Sequence, residues 1–300
     1  MSRYRAILVA GLLIATLSGV AACDHGASYP IQTAYTKLGP YATTTGTVTD
    51  ATGKVIYDEY YPASYSTLRF KSPIVTWGNG TGGKPSDVAV FLSHLASYGF
   101  TVIASTDPTT GSGIEIDAAA RYLVAQDSVR GSVFDGHLDI TEVAVVGSSQ
   151  GAGGAVRAAT TVDPSLFKTV VAFSLPNRIW ARPNPDCPTT PVCIVDPAKL
   201  TQPVFFISTH GPLDAVIASP ATEGAYFRST RVDAALGIIQ FSGGKLADHG
   251  SIARSPGGFL GYATAWLEYQ LRGDTTAARA FTGPHPELLQ NTNWPGSAIK

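Results

Sequence analysis

Ser149 stands in Gly147-Ser148-Ser149-Gln150-Gly151, a spacing suited to nucleophilic attack on a carbonyl carbon. The turn this pattern describes is so sharp that only small residues fit two before and two after the serine. Its effect is to thrust the hydroxyl out above a sheet. The pentapeptide alone is common. Here it lies between an apolar run, 143–146, and a small-residue segment, 150–160, which reads as a strand-to-helix junction. Backbone N–H groups at the helix start then face the space over the hydroxyl. Gly153 and Gly154 are poor helix formers but let that helix press closely on the sheet. Ser148 is the neighbouring serine, and it lacks the two flanking glycines.

A serine hydroxyl needs a base. At such a turn the partners follow in the order serine, acid, histidine. His25, His94 and His137 precede Ser149, which leaves His210, His249 and His285. His249 lies in a loop between the last strand and the last long helix, at the sheet edge where Ser149 emerges. His210 suits the acid loop better, and His285 sits in a proline-flanked tail. Asp214 is the one carboxylate in the loop after the strand at 204–208, and it is the expected orienting acid. Asp248 is set aside because neighbouring side chains on an extended loop point apart. Asp196 precedes the strand and falls at the wrong end of the sheet.

A tetrahedral intermediate needs two N–H donors. Gln150 is expected to supply one. Thr81, in the bare loop Gly78-Asn79-Gly80-Thr81-Gly82-Gly83, is expected to supply the other. A phosphate-binding loop would end in Gly-Lys-Ser/Thr, whereas Lys84 is followed by Pro85. Gly80, Thr106, Pro176 and Trp180 are expected to line the substrate site.

These residues require a scaffold of alternating strands and helices. Thr/Val/Tyr-rich strands are expected at 42–49 and 55–61, with short apolar strands at 74–77, 100–105, 143–146, 169–173, 204–208 and 236–241. Helical periodicity is marked by Val88, Phe91, Leu92 and Leu95 after a capping Ser86, and by Ile116, Ala119, Ala120 and Leu123. The last helix shows Phe259, Tyr262, Ala263 and Trp266 on one side. The pattern predicts one α/β domain over 39–300 with a C-terminal tail. Its sheet is mainly parallel with antiparallel N-terminal edge strands, and helices cover both faces.

With 44% hydrophobic residues among 300, the chain can bury one large core. A net charge of −1, with no Lys/Arg-rich run, argues against nucleic acid as a partner. Arg3 and Arg5 followed by an apolar stretch mark residues 1–22 as a signal peptide, too short to span a membrane comfortably. Val20-Ala21-Ala22-Cys23 resembles a bacterial lipobox, so Cys23 is the expected lipidation site and residues 23–38 a polar tether. Export permits a local disulfide between Cys187 and Cys193, which is expected to close a proline-rich loop. The membrane is met only through the anchor, and the chain is expected to be a monomer.

The segments Ile74-Val75-Thr76-Trp77-Gly78-Asn79-Gly80-Thr81-Gly82-Gly83, 95–105, Val146-Gly147-Ser148-Ser149-Gln150-Gly151 and 266–274 together resemble one branch of the α/β hydrolases. That branch contains dienelactone hydrolases, chlorophyllases and poly(ethylene terephthalate) hydrolases, and the similarity runs over about 39–274. The resemblance implies a lidless carboxylester hydrolase without metal or organic cofactor, and it assigns Ser149, Asp214, His249, Thr81 and Gln150 the roles derived above. Polyester hydrolases carry an aromatic residue beside a proline just after the strand following the nucleophile helix. Here Asn177 follows Leu175-Pro176, and Trp180 comes three residues later. Dienelactone hydrolases proper use cysteine where this chain has Ser149, which favours ordinary esters. The leading expectation is an exported serine esterase. A polyester hydrolase is the alternative, and a surface-anchored binding protein on an inactive scaffold is the reading from another class. All three members of the triad are present, which favours an enzyme.

Overall fold

The computed structural model describes residues 28–178 and 195–300. The chain begins with helix α1 (Pro30–Thr36) and the antiparallel strands β1 (Thr43–Thr49) and β2 (Val55–Pro62). Strands and helices then alternate as β3 (Ser72–Gly78), α2 (Ala89–Ser97), β4 (Thr101–Ser105), α3 (Ile114–Gln126), β5 (Leu138–Ser148), α4 (Gln150–Arg157), β6 (Thr169–Phe173) and β7 (Val204–Thr209). Helices α5 (Asp214–Ile217) and α6 (Pro220–Ser229) lead to β8 (Ala234–Ile239), the hairpin β9 (Phe241–Ser242) and β10 (Lys245–Leu246), α7 (Ser251–Arg254) and α8 (Gly257–Arg272). Then come α9 (Thr275–Ala278), α10 (Glu287–Gln290) and β11 (Ala298–Ile299).

The described strands form a nine-stranded sheet in the order β1-β2-β4-β3-β5-β6-β7-β8-β11, beside the separate β9–β10 hairpin. The six strands from β4 to β8 run parallel, while β1 and β2 on one edge and β11 on the other are antiparallel. The central strands are apolar throughout because both faces are covered. Val75 and Trp77 of β3 face one core with Phe91, Tyr262 and Trp266 from α2 and α8. Ile74 faces the other core with Ile116, Ala155 and Phe227 from α3, α4 and α6. No large lid insertion interrupts this arrangement among the described residues.

Three local differences have physical reasons. Ser86 lies within a 3₁₀ turn, Pro85–Val88, rather than capping α2, and Asp87 accepts the Lys84 N–H at 2.9 Å there. The stretch 23–38, expected as a tether, holds α1 instead. Seven residues are too few to be helical alone, so tertiary contacts supply the stability. Both Glu287 carboxylate oxygens accept N–H groups from Ile31 and Gln32, at 2.8 and 2.7 Å, and Tyr35 donates its hydroxyl to Asp274 at 2.5 Å. α6 carries few large apolar residues on a regular stripe, and it gave no clear period in the sequence. The disulfide expectation is corrected: no disulfide bond is present among the described residues. Cys23, Cys187 and Cys193, with Trp180 and the segment 1–22, lie outside the described residues.

Candidate active site

Ser149 caps the junction of β5 and α4 with φ 54° and ψ −123°, a conformation side-chain-bearing residues rarely adopt. Three glycines make the turn feasible. A Cβ at Gly147 would overlap the backbone of Gly151, a Cβ at Gly151 would overlap that of Gly78, and one at Gly154 would overlap the carbonyl of Thr110. The helix therefore seats directly on β3 and β5, and no larger residue allows that approach. Ser149 N–H donates to the Phe173 carbonyl at 2.8 Å, which ties the turn to the end of β6. Below it, the Phe173 ring packs with Trp77, Phe91 and Phe259 at centroid distances of 6.2, 5.5 and 6.0 Å. This aromatic group forms the floor beneath the turn.

The acid and base come from two later loops at the same edge of the sheet. His249 Nε2 lies 2.8 Å from Ser149 Oγ, and His249 Nδ1 lies 2.7 Å from Asp214 Oδ1. Asp214 is fully buried, whereas the His249 side chain keeps 14% exposure, enough to meet a substrate. An ionised carboxylate can only accept, so Nδ1 carries the proton and Nε2 is left to take one from the serine. The other Asp214 oxygen accepts hydroxyls from Ser174 at 2.8 Å and Thr209 at 2.6 Å. Behind it, burial pushes the Glu223 carboxyl well above its ordinary pKa, and the nearby Asp214 charge pushes the same way against the Leu175 N–H bond. Burial and the Asp214 charge together favour the neutral form of Glu223, which would add no second charge beside the acid.

The remaining histidines have other environments. His94 is buried against the Tyr35 carbonyl at 2.9 Å, and burial lowers its pKa. His137 stacks on Tyr65 with a centroid distance of 5.0 Å, and His210 and His285 are exposed. Asp196 starts the turn before β7, away from the triad.

The loop after β3 is braced through Asn79, which the sequence marked only as part of a bare backbone loop. Its amide donates to the Ser105 and Asp107 carbonyls at 2.6 and 3.1 Å, and its oxygen accepts from Trp77 Nε1 at 3.0 Å. Gly82 N–H adds a bond to the Pro108 carbonyl at 2.9 Å, with Gly82 at φ 72°. Gly80 sits so close to Ser149 that a Cβ there would come within 3.5 Å of the serine Cβ.

A cleft of about 400 Å³ opens over the triad and includes Gly80, Thr81, Ser149 and His249 in its wall. Its apolar lining is Trp77, Val88, Ile217, Ile252 and Ala253. Thr106 is not among the lining residues. Its hydroxyl and N–H both serve β2, on the carbonyls of Val55 and Ile56 at 2.9 Å each. Pro176 also lies outside the lining, with its carbonyl accepting from Tyr226 at 2.9 Å. Gln150 is the first residue of α4.

The family described as PET hydrolase-like matches residues 21–182, more than half of the chain. The chain belongs to the PET hydrolase-like family. A bis(hydroxyethyl) terephthalate hydrolase from Streptomyces coelicolor is 32% identical over 179 residues, which is 55% of this chain and 55% of that protein. The chain therefore spans about half the length of the relative it matches. The PET hydrolase-like match contains Thr81, Ser149 and Gln150, whereas Asp214 and His249 lie beyond its end. The distances above complete the triad of a serine hydrolase independently of it.

Proposed function

We propose that this protein hydrolyses carboxylic esters of the polyester type, whether the polymer or its hydroxyalkyl ester fragments, through an acyl-enzyme on Ser149. The observation that carries the reading is the relay Asp214–His249–Ser149, at 2.7 and 2.8 Å, beneath a cleft lined by Trp77, Val88 and Ile252. Ser149 Oγ attacks the ester carbonyl carbon while its proton passes to His249 Nε2. The backbone N–H groups of Thr81 and Gln150 hold the resulting oxyanion. His249 then returns the proton to the departing alcohol oxygen as the C–O bond breaks. Water attacks the acyl group with His249 again as base, releasing the acid and restoring Ser149. Asp214 steadies the imidazolium throughout. Family membership and the terephthalate-ester activity named for the Streptomyces relative support an aromatic ester over an aliphatic one.

Export and attachment through Cys23 are part of the proposal, supported by the lipobox-like run at 20–23. No helix among the described residues is long and apolar enough to cross a membrane. Cys23→Ser should release the protein from membrane fractions, and continued association would contradict lipidation.

Incubation with bis(hydroxyethyl) terephthalate and with p-nitrophenyl esters of rising chain length tests the activity. The wild type should release acid from both, and Ser149→Ala from neither. Turnover of the p-nitrophenyl esters alone would reduce the reading to a general esterase. Failure on every ester would overturn it.

A further inference from the structure

The acid and the base of the triad come from two separate loops, one after β7 and one after β10. Something must keep those loops in register. Asp248, the residue before His249, occupies the junction. Its Oδ1 accepts three backbone N–H groups: Leu213 at 3.0 Å, Asp214 at 2.9 Å and His249 at 2.8 Å. Two donors come from the acid loop and the third from the base residue itself. We propose that Asp248 is a positioning residue, whose carboxylate clamps the acid loop to the base loop and so sets the Asp214–His249 hydrogen bond.

Two further features support the clamp. Asp248 is itself fixed by the start of α7, where its N–H donates to Ser251 Oγ at 2.9 Å and its carbonyl accepts Ser251 N–H at 2.8 Å. Gly211, in the acid loop, lies against the Asp248 side chain. A Cβ there would overlap Asp248 Cβ, Cγ and Oδ1. Gly211 is absent from the residues with positive φ, so its backbone conformation is open to any residue. The side chain of Asp248 is what requires a glycine at that point. Three N–H donors converging on one oxygen suit a carboxylate, because charge strengthens each bond. The geometry also explains why Asp248 is no rival for the acid. Its Oδ1 is turned onto backbone, while Asp214 meets the imidazole.

Misplacement of a catalytic group by about an ångström lowers turnover by ~100-fold. The inference rests on the hydrolase reading, so its test carries one measurement of activity and one of structure. Steady-state kinetics on p-nitrophenyl butyrate are compared for wild type, Asp248→Ala, Asp248→Asn and Gly211→Ala. Proton NMR follows the downfield His249 Nδ1–H resonance of the same proteins. Asp248→Ala should lower kcat by roughly 30- to 100-fold with KM within about 3-fold. Gly211→Ala should do the same with Asp248 present, because the added methyl displaces the carboxylate. Asp248→Asn should recover kcat to within about 5-fold of wild type, since the amide oxygen accepts the same donors. The resonance should survive in Asp248→Asn and broaden or vanish in the other two variants. If Asp248→Ala does not fold, Gly211→Ala and Asp248→Asn still decide. A kcat within 2-fold of wild type in Asp248→Ala or Gly211→Ala would overturn the clamp, as would an unchanged resonance. Asp248→Asn no better than Asp248→Ala would also overturn it. A wild type inactive on every ester would overturn the hydrolase reading, and the NMR comparison would then judge the clamp by itself.

Discussion

Ser174 donates its hydroxyl to Asp214 Oδ2 at 2.8 Å from a backbone held at φ 48°. The left-handed conformation turns the chain back at the end of β6 and aims the side chain beneath the acid. With Thr209 at 2.6 Å, it leaves the buried carboxylate one oxygen for His249 and satisfies the other. Hydrogen bonds to charged groups contribute about 1.5–3 kcal/mol each. Ser174→Gly and Ser174→Ala should therefore each lower kcat/KM by roughly 10-fold. Glycine relieves the left-handed strain, so Ser174→Gly should be the more stable of the pair by about 1 kcal/mol in urea melts. Unaltered kinetics in both would show that Thr209 alone suffices.

Gly151 tests the seating of the nucleophile helix. A methyl group there meets the backbone of Gly78, which cannot move without shifting β3. Gly151→Ala should cost about 3 kcal/mol or more and abolish soluble expression or depress the thermal midpoint sharply. Gly257→Ala, at the start of α8, has nothing within 4 Å of the added atom. It should be neutral or slightly stabilising, as helix propensity alone dictates.

Burial raises the Glu59 carboxyl from 4.5 to about 7. One of its oxygens has no hydrogen-bond partner. The folded protein thus holds a proton that the unfolded chain releases near 4.5, and stability falls as pH rises from there to about 7. Glu59→Gln removes this dependence. The variant should match wild type near pH 4.5 and melt a few degrees higher at pH 8, where ~1 kcal/mol corresponds to about 2–4 °C. Calorimetry at both pH values checks the difference, and a gain confined to the acid side would contradict the assignment.

Ala253 lines the cleft beside Ile252. Ala253→Phe should fill space that a bulky acyl or aryl group needs and spare a small one. The expected result is a roughly 10- to 100-fold loss of kcat/KM on aryl and long-chain esters, with acetate esters changed by less than about 3-fold. Equal losses across the ester panel would place the acyl group elsewhere.

The sequence displayed what is local and hid what is assembled. Ser149 was legible because the glycines that permit its turn are its own neighbours, and the apolar run before it marks β5. Asp214 and His249 followed from their places after later strands. Ser174, Thr209 and Asp248 were not legible as a support for the acid, because their role arises only when β6, β7 and the loop after β10 lie side by side. Thr106 was expected to line the substrate site, yet its hydroxyl and its N–H are both consumed by pairing with β2. Helix α1 escaped notice for the same reason. The carboxylate that holds its N-terminus belongs to Glu287, 256 residues from Ile31 along the chain.

The most direct measurement of the central claim is covalent trapping of Ser149 by a fluorophosphonate, read by intact mass and by peptide mapping. Wild type should gain one adduct on the peptide carrying Ser149, Ser149→Ala should gain none, and His249→Ala should label at least 100-fold more slowly. An unlabelled wild type, or an adduct on any other residue, would contradict the account.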